Sequence, residues 1–319
     1  MIYRLLKKLA AALTFVAAAS SYAYPDKPLT IIVPFAAGSA TDVAGRTFAD
    51  VLSRSLKQSV VVDNRTGAEG AIGARAVLAG PIDGHTLLFT SSSLTVLDPL
   101  MKVNLPYNLD TELTPVCTVG GTKFLVNLTG ASPLKSMADV IAAAKASPGK
   151  LTFAYSSAST RLAGELFQQA VGVKLTGVPY RSSMSGLTEV ASGQVDLIFI
   201  DALSAGAFYQ GGKVRPLAVA GTSRVKELPD VPSAAELGLP EFSVAPWYGV
   251  YLSAKVPQAL VEQIRGAVSV ALNGPEMKAA MEKRNLTTNY VCGDAMKTFQ
   301  KDDSALWRAV TKKAGIEPQ

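Results

Sequence analysis

Apolar and polar positions along the chain alternate between two periods. Short apolar, often β-branched runs occupy 29–33, 60–63 and 86–90, bounded by Gly, Pro, Asp or Ser. Runs of this length and composition read as buried strands. Between them, apolar residues recur every three or four positions over 42–56 and 67–78, the period of a helix packed on one side. Strand-like runs resume at 116–119 and 124–127, around a Gly120-Gly121 break, and again at 151–154, 175–179, 196–200 and 216–220. Helical stretches at 136–146, 161–171 and 184–191 separate the later ones. Ser136, with Asp139 three positions on, is an N-cap signal. The tail is helical at 257–272, 275–284 and 294–313, with Pro257 and Pro275 at the starts of the first two. Strands alternating with helices argue for an α/β protein of mainly parallel sheets covered by helices.

The chain also echoes itself. Leu29-Thr30 opens a strand whose following helix reads Asp42-Val43-Ala44-Gly45-Arg46-Thr47-Phe48. Leu151-Thr152 opens another, followed by Arg161-Leu162-Ala163-Gly164-Glu165-Leu166-Phe167. Ala44 and Ala163, Gly45 and Gly164, and Phe48 and Phe167 fall in register. Two small α/β domains of like topology would produce this; so would chance matching of common residues. In open α/β sheets ligands sit beyond the carboxyl ends of the strands, beside helix N-termini. Two such domains face to face would make a cleft with both echoed loops in it. Helix N-termini there favour an anion, and a carboxylate is the plainest candidate.

Composition narrows the choices. Of 319 residues, 48% are hydrophobic and 18% charged, a globular balance with room for two domains. The first 23 residues read as a secretory leader: Arg4, Lys7 and Lys8, then an apolar stretch over 9–19, then Ser21-Tyr22-Ala23. That stretch is too short to span a bilayer, which takes about 20 apolar residues. Setting the leader aside lowers the formal charge from +6 to +3 and leaves no basic stripe, so nucleic-acid binding loses its support. With one histidine and two cysteines, the chain cannot supply a Cys/His zinc site. No Gly-x-Ser-x-Gly elbow occurs, and a hydrolytic triad would have to use His85, which follows the turn signal Asp83-Gly84 and reads as a surface turn residue. Gly67-x-x-Gly70-x-x-Gly73 lacks the spacing of a phosphate loop and suits close helix–sheet packing. Cys117 and Cys292 belong to an exported chain; pairing and free thiols are both compatible with the sequence.

The order of several short motifs carries more than any one of them. Tyr24-Pro25-Asp26-Lys27-Pro28 is followed by Val33-Pro34-Phe35-Ala36-Ala37-Gly38-Ser39-Ala40-Thr41-Asp42, then Asn64-Arg65-Thr66-Gly67-Ala68-Glu69-Gly70-Ala71-Ile72-Gly73 and Asp83-Gly84-His85-Thr86. Later come Val178-Pro179-Tyr180-Arg181, Gly193-Gln194-Val195-Asp196, Leu228-Pro229-Asp230-Val231-Pro232-Ser233 with Glu236-Leu237-Gly238, Trp247-Tyr248-Gly249 and Ala314-Gly315-Ile316. Over the whole length after the leader, this series resembles the Bug-type periplasmic solute-binding proteins of tripartite tricarboxylate transporters. The resemblance implies a two-domain periplasmic-binding-protein fold of the Venus-flytrap, type II-like kind. It places one domain at 24–122 plus 248–319 and the other at 123–247. It implies capture of a small organic carboxylate in the interdomain cleft and delivery to membrane permease subunits. A sensor kinase is the alternative partner, and a secreted hydrolase the alternative function. A periplasmic monomer is expected, without metal or cofactor.

The resemblance also implies that one strand-to-helix loop from each domain grips the carboxylate. Carried over by position, the first loop offers Phe35, Ala37, Gly38, Ser39, Thr41 and Asp42. Asp42 would cap the helix, order the loop or meet an amino group on the ligand. The second loop departs from the family pattern, which is longer, glycine-rich and ends in histidine. Here Ser156, Ser157, Ser159 and Thr160 supply hydroxyls, and Arg161 stands in place of the histidine. A cation at a helix N-terminus opposes the dipole. Arg161 is therefore expected either to bind a ligand carboxylate or to sit on the surface beside Glu165. Strand ends add Ser91, Ser92, Tyr180 and Asp201, with Arg181 either in the wall or paired to Asp201. Trp247 and Tyr248 are each expected either to line the cleft or to pack between the domains.

Overall fold

A computed structural model describes residues 24–313 and 315–318. The expected leader lies outside the described residues. Among the described residues ten strands form two five-stranded sheets of the same topology. The first has the order β2-β1-β3-β10-β4: β1 (Leu29–Val33), β2 (Val60–Asn64), β3 (Thr86–Ser91), β4 (Leu113–Gly121) and β10 (Trp247–Ser253). The second has the order β7-β6-β8-β5-β9: β5 (Phe124–Thr129), β6 (Thr152–Tyr155), β7 (Thr176–Pro179), β8 (Leu197–Asp201) and β9 (Val214–Val219). In each sheet one strand runs against its neighbours, β10 in the first and β5 in the second. The remaining pairs are parallel, β1 with β2 and β3, β6 with β7 and β8. The internal echo is thus a repeated topology, with β1 matching β6.

The chain crosses between the sheets twice, side by side. It leaves β4 for β5 through Thr122 and Lys123, and returns into β10 through Pro246. Thr122 N donates to Pro246 O at 2.9 Å and Phe124 N to Val244 O at 3.2 Å. The two strands approach so closely that a Cβ on Gly121 would stand 2.5 Å from Pro246 O. A paired crossing of this kind is a natural hinge.

Helices cover both sheets. In chain order they are α1 (Ala40–Leu56), α2 (Ala71–Leu78), α3 (Asp98–Met101), α4 (Leu109–Glu112), α5 (Met137–Ala146), α6 (Ala158–Val171), α7 (Ser183–Ser192), α8 (Ala202–Gln210), α9 (Gln258–Asn273), α10 (Pro275–Glu282) and α11 (Asp294–Lys313). α1 buries Ala44, Phe48, Val51 and Leu52, and Phe48 stacks on Phe89 at 5.8 Å, which stacks on Tyr248 at 6.0 Å. α6 does the same in the second lobe: Phe167 lies 5.4 Å from Phe199 and 5.5 Å from Phe242. The echoed glycine has one role twice. A Cβ on Gly45 would meet Phe89 and Val33 at 3.1 Å, and one on Gly164 would meet Phe153 at 2.4 Å. The helix can lie against its sheet only because that Cβ is missing.

The structure revises several expected boundaries. α1 and α6 begin at Ala40 and Ala158, a little before the apolar period starts, because Ser39 and Ser157 cap them. The 67–78 stretch is not one helix: a 3-10 turn at Ala68–Gly70 precedes α2, with Gly67, Ala68, Glu69 and Gly70 all at positive φ. The π-turn Ser93–Leu97 and the helix α8 were not legible in the pattern. Ser136 forms the expected capping box with Asp139. His85 follows its turn but is buried, packed 5.1 Å from the Tyr24 ring and with Nδ1 2.9 Å from Asp83 O. Cys117 and Cys292 are joined by a disulfide that ties β4 to the segment before α11. Among the described residues no helix is long and apolar enough to cross a membrane.

Candidate functional site

The loop after β1 is built around Asp42. Ser39 Oγ accepts from Asp42 N at 3.3 Å, capping α1. The Asp42 carboxylate in turn accepts from Gly38 N at 2.9 Å, Asn64 Nδ2 at 2.8 Å and Arg46 Nε at 3.1 Å. Asn64 Nδ2 also donates to Phe35 O at 3.0 Å, so both ends of the loop are held. Burial works against ionisation of Asp42, but the bonds from Arg46, Gly38 and Asn64 outweigh it and keep the carboxyl below its usual range. Asp42 is a buried fixture of the loop. Gly38, at φ +80°, makes the turn ahead of the cap.

The second lobe presents three helix N-termini. Ser157 caps α6 in a capping box with Thr160, and Thr160 Oγ1 also accepts from Ser156 N at 3.0 Å. Ser182 caps α7 through Ser185 N. Asp201 caps α8, accepting from Ser204 N at 2.9 Å and Ser204 Oγ at 3.2 Å. Ser156 and Ser183 share a hydroxyl hydrogen bond of 2.8 Å that joins the residue ahead of the α6 cap to the first turn of α7. Asp201 is fully buried, and burial pushes its carboxyl upward against the Ser204 bonds. Its oxygens are used by the cap, so the Arg181–Asp201 pair considered from the sequence does not form.

These loops and the first-lobe loop surround one cavity of about 650 Å³. Phe35, Ser39, Thr41 and Ser91 line it from the first lobe; Ser156, Ser157, Ser159, Thr160, Tyr180 and Asp201 line it from the second. Among the described residues the one basic side chain in this lining is Arg181. Each capped helix leaves part of its first-turn amides without an intrahelical partner, so the cavity is rimmed by N–H groups and hydroxyls. Phe35, Phe124, Met184, Ile200 and Tyr248 supply the apolar part of the wall.

Five of the residues singled out from the sequence do not line this cavity: Ala37, Gly38, Asp42, Ser92 and Arg161. The first three shape or hold the loop. Ser92 Oγ accepts from Trp247 N at 3.4 Å, next to the interlobe crossing. Trp247 itself packs on Phe299 at 5.2 Å and donates from Nε1 to Asp303 of α11 at 2.7 Å. Arg161 is one position past the hydroxyl-bearing turn, and the 100° helical step turns it sideways. Its guanidinium lies over the Tyr155 ring at 5.8 Å and lines a neighbouring, smaller pocket. Among the residues missed from the sequence are Thr66–Gly70, in and just before the 3-10 turn, Ser182–Met184 at the start of α7, and the wall residues Phe124 and Ile200. Serine caps are visible in principle, as the Ser182–Ser185 spacing shows. The turn around Glu69 had no such signal, because its glycines also serve packing: a Cβ on Gly73 would meet Pro34 Cβ at 2.7 Å.

Known proteins share this architecture. The family described as tripartite tricarboxylate transporter family receptor matches residues 44–316. Protein BugT of Bordetella pertussis is 31% identical over 301 residues, covering 93% of this chain and 92% of that protein. The structure of R. palustris Rpa4515 with adipate has a TM-score of 0.87 and 30% identity, covering 93% of this chain and 100% of that one. The periplasmic binding protein BugD has a TM-score of 0.84 and 27% identity, with the same coverage. These relatives are solute-binding proteins rather than enzymes. The chain belongs to the tripartite tricarboxylate transporter receptor family of periplasmic solute-binding proteins.

Proposed function

We propose that the protein captures a small organic carboxylate between its two lobes and delivers it to the membrane subunits of a tripartite tricarboxylate-type transporter. The observation that carries this reading is the convergence of α1 from one lobe and α6, α7 and α8 from the other on one cavity. Capped helix N-termini favour an anion through their dipoles and free amides. Apolar walls between them suit a carbon chain. Rpa4515 holding adipate on the same fold supports a carboxylate as the anion. The lobes correspond to 24–122 plus 248–319 and to 123–247, hinged at the double crossing. Closure then follows as a shift of population toward the state that encloses the ligand. Export through the leader would place this activity in the periplasm.

The test is calorimetry of the protein from residue 24 onward with C3–C8 mono- and dicarboxylates, including adipate. Ser182→Asp is the decisive variant. Aspartate caps a helix as well as serine does, so α7 should persist. It also puts a negative charge in the cavity wall, and affinity for any carboxylate should fall at least tenfold with little change in Tm. Carboxylates that fail to bind the native protein, freed of retained ligand, would overturn the reading.

A further inference from the structure

A second cavity of about 360 Å³ lies beside the first, walled by both lobes and sharing only Glu69 and Ser157 with it. Its first-lobe side holds Asp98, Lys102 and Glu69; its second-lobe side holds Arg161 over the Tyr155 ring. Asp98 is 1% exposed, and neither carboxylate oxygen accepts a hydrogen bond. Lys102 Nζ stands 2.6 Å from Glu69 Oε2 and 3.3 Å from Asp98 Oδ2, so one cation serves two carboxylates and sits nearer the other. Opposite, among the described residues no carboxylate lies within ion-pair distance of Arg161; Glu165, one turn along α6, accepts from Gln168 at 2.9 Å. With Asp98 ionised, the first-lobe wall therefore carries one negative charge in excess and the second-lobe wall one positive charge.

We propose that this side pocket is a second binding site, for the zwitterionic head of an α-amino acid, with its ammonium on Asp98 and its carboxylate on Arg161. A simple cation would meet Arg161 and Lys102; a simple anion would meet Asp98 and Glu69. A neutral ligand would leave Asp98 to share Lys102 with Glu69 and would leave Arg161 without a counter-ion. Only a ligand carrying both charges complements both walls. Planar guanidinium binds a carboxylate through two parallel bonds, and an ammonium brings three donors to a carboxylate that has none. Burial lifts the Asp98 carboxyl to about 7, and Glu69 adds to this while Lys102 opposes it. An ammonium would restore the ionised form, so the ligand should bind more weakly below pH 7 and release protons when it binds near neutrality. The site does not depend on what fills the larger cavity.

Calorimetry of the native protein with alanine, serine and glutamate, against propionate and ethylamine as half-ligands, tests the proposal. In the Ser182→Asp background, where the larger cavity no longer takes carboxylates, an α-amino acid should bind, with each half-ligand at least tenfold weaker. Asp98→Asn and Arg161→Gln should each lose at least tenfold, while Ser182→Asp keeps the amino acid and loses adipate. Amino-acid affinity unchanged by Asp98→Asn and Arg161→Gln, or abolished by Ser182→Asp, would place the ligand in the main cavity and overturn the idea. So would a native protein that binds no amino acid at millimolar concentration. Failure of adipate alone would count against the carboxylate reading and leave this one standing.

Discussion

Ser159 and Ser93 meet across the gap between the lobes: Ser159 N, in the first turn of α6, donates to Ser93 Oγ of the first-lobe π-turn at 3.3 Å. One of the helix's orphan amides is thus satisfied by the opposite lobe. Both residues are buried, so the bond exists only when the lobes are together. Ser93→Ala should weaken closure by about 0.5–1.5 kcal/mol, the net worth of such a bond. Ligand affinity should then fall roughly two- to tenfold, because a less populated closed state lowers apparent affinity. Small-angle scattering of the unliganded protein should show a larger radius of gyration for the variant. Identical scattering and affinity in the two proteins would show that this contact does not set the equilibrium.

Asp98 makes stability depend on pH in a direction opposite to most carboxylates. Burial raises its folded pKa from the ordinary 3.8 to about 7. The folded state therefore holds its proton more tightly than the unfolded chain. That contribution is complete below about pH 4 and disappears as pH rises through about 7. A shift of this size corresponds to at most about 4 kcal/mol, reduced by rearrangement of Lys102. Asp98→Asn removes the titration. Its unfolding free energy relative to the native protein should rise between pH 5 and pH 8, measured by urea denaturation at each pH. A difference that stays flat would mean that Asp98 is hydrated in solution.

The Cys117–Cys292 disulfide closes a loop of 175 positions that contains the entire second lobe. Loops this long lose the most chain entropy in the unfolded state, about 5 kcal/mol in the entropic account. Reduction, or the pair Cys117→Ser with Cys292→Ser, should lower Tm without moving ligand affinity by more than about twofold, because neither residue lines the cavity. A large loss of affinity with intact Tm would instead tie this bridge to lobe closure.

What could be read from the chain alone was local or repeated. The apolar period marked the strands, Ser136 announced its helix, and the Gly45/Gly164 echo foretold two copies of one topology. The glycines matter physically because each helix must lie against its own sheet, so the pattern survives in sequence. The loops at 35–42 and 155–160 were also visible, since a capped helix after a strand end is a local arrangement. Tertiary structure decided the rest, because it concerns which surfaces face each other. Nothing in the order of residues shows that Arg161 turns away from the cavity that Ser159 and Thr160 enter, or that Asp98 is sealed opposite it. The alliance of Cys117 with Cys292, and of Ser93 with α6, joins segments far apart in the chain. Such contacts exist only after distant segments have been placed against one another, within the first lobe for the two cysteines and between the lobes for Ser93 and α6, and their energy depends on burial that no single segment possesses.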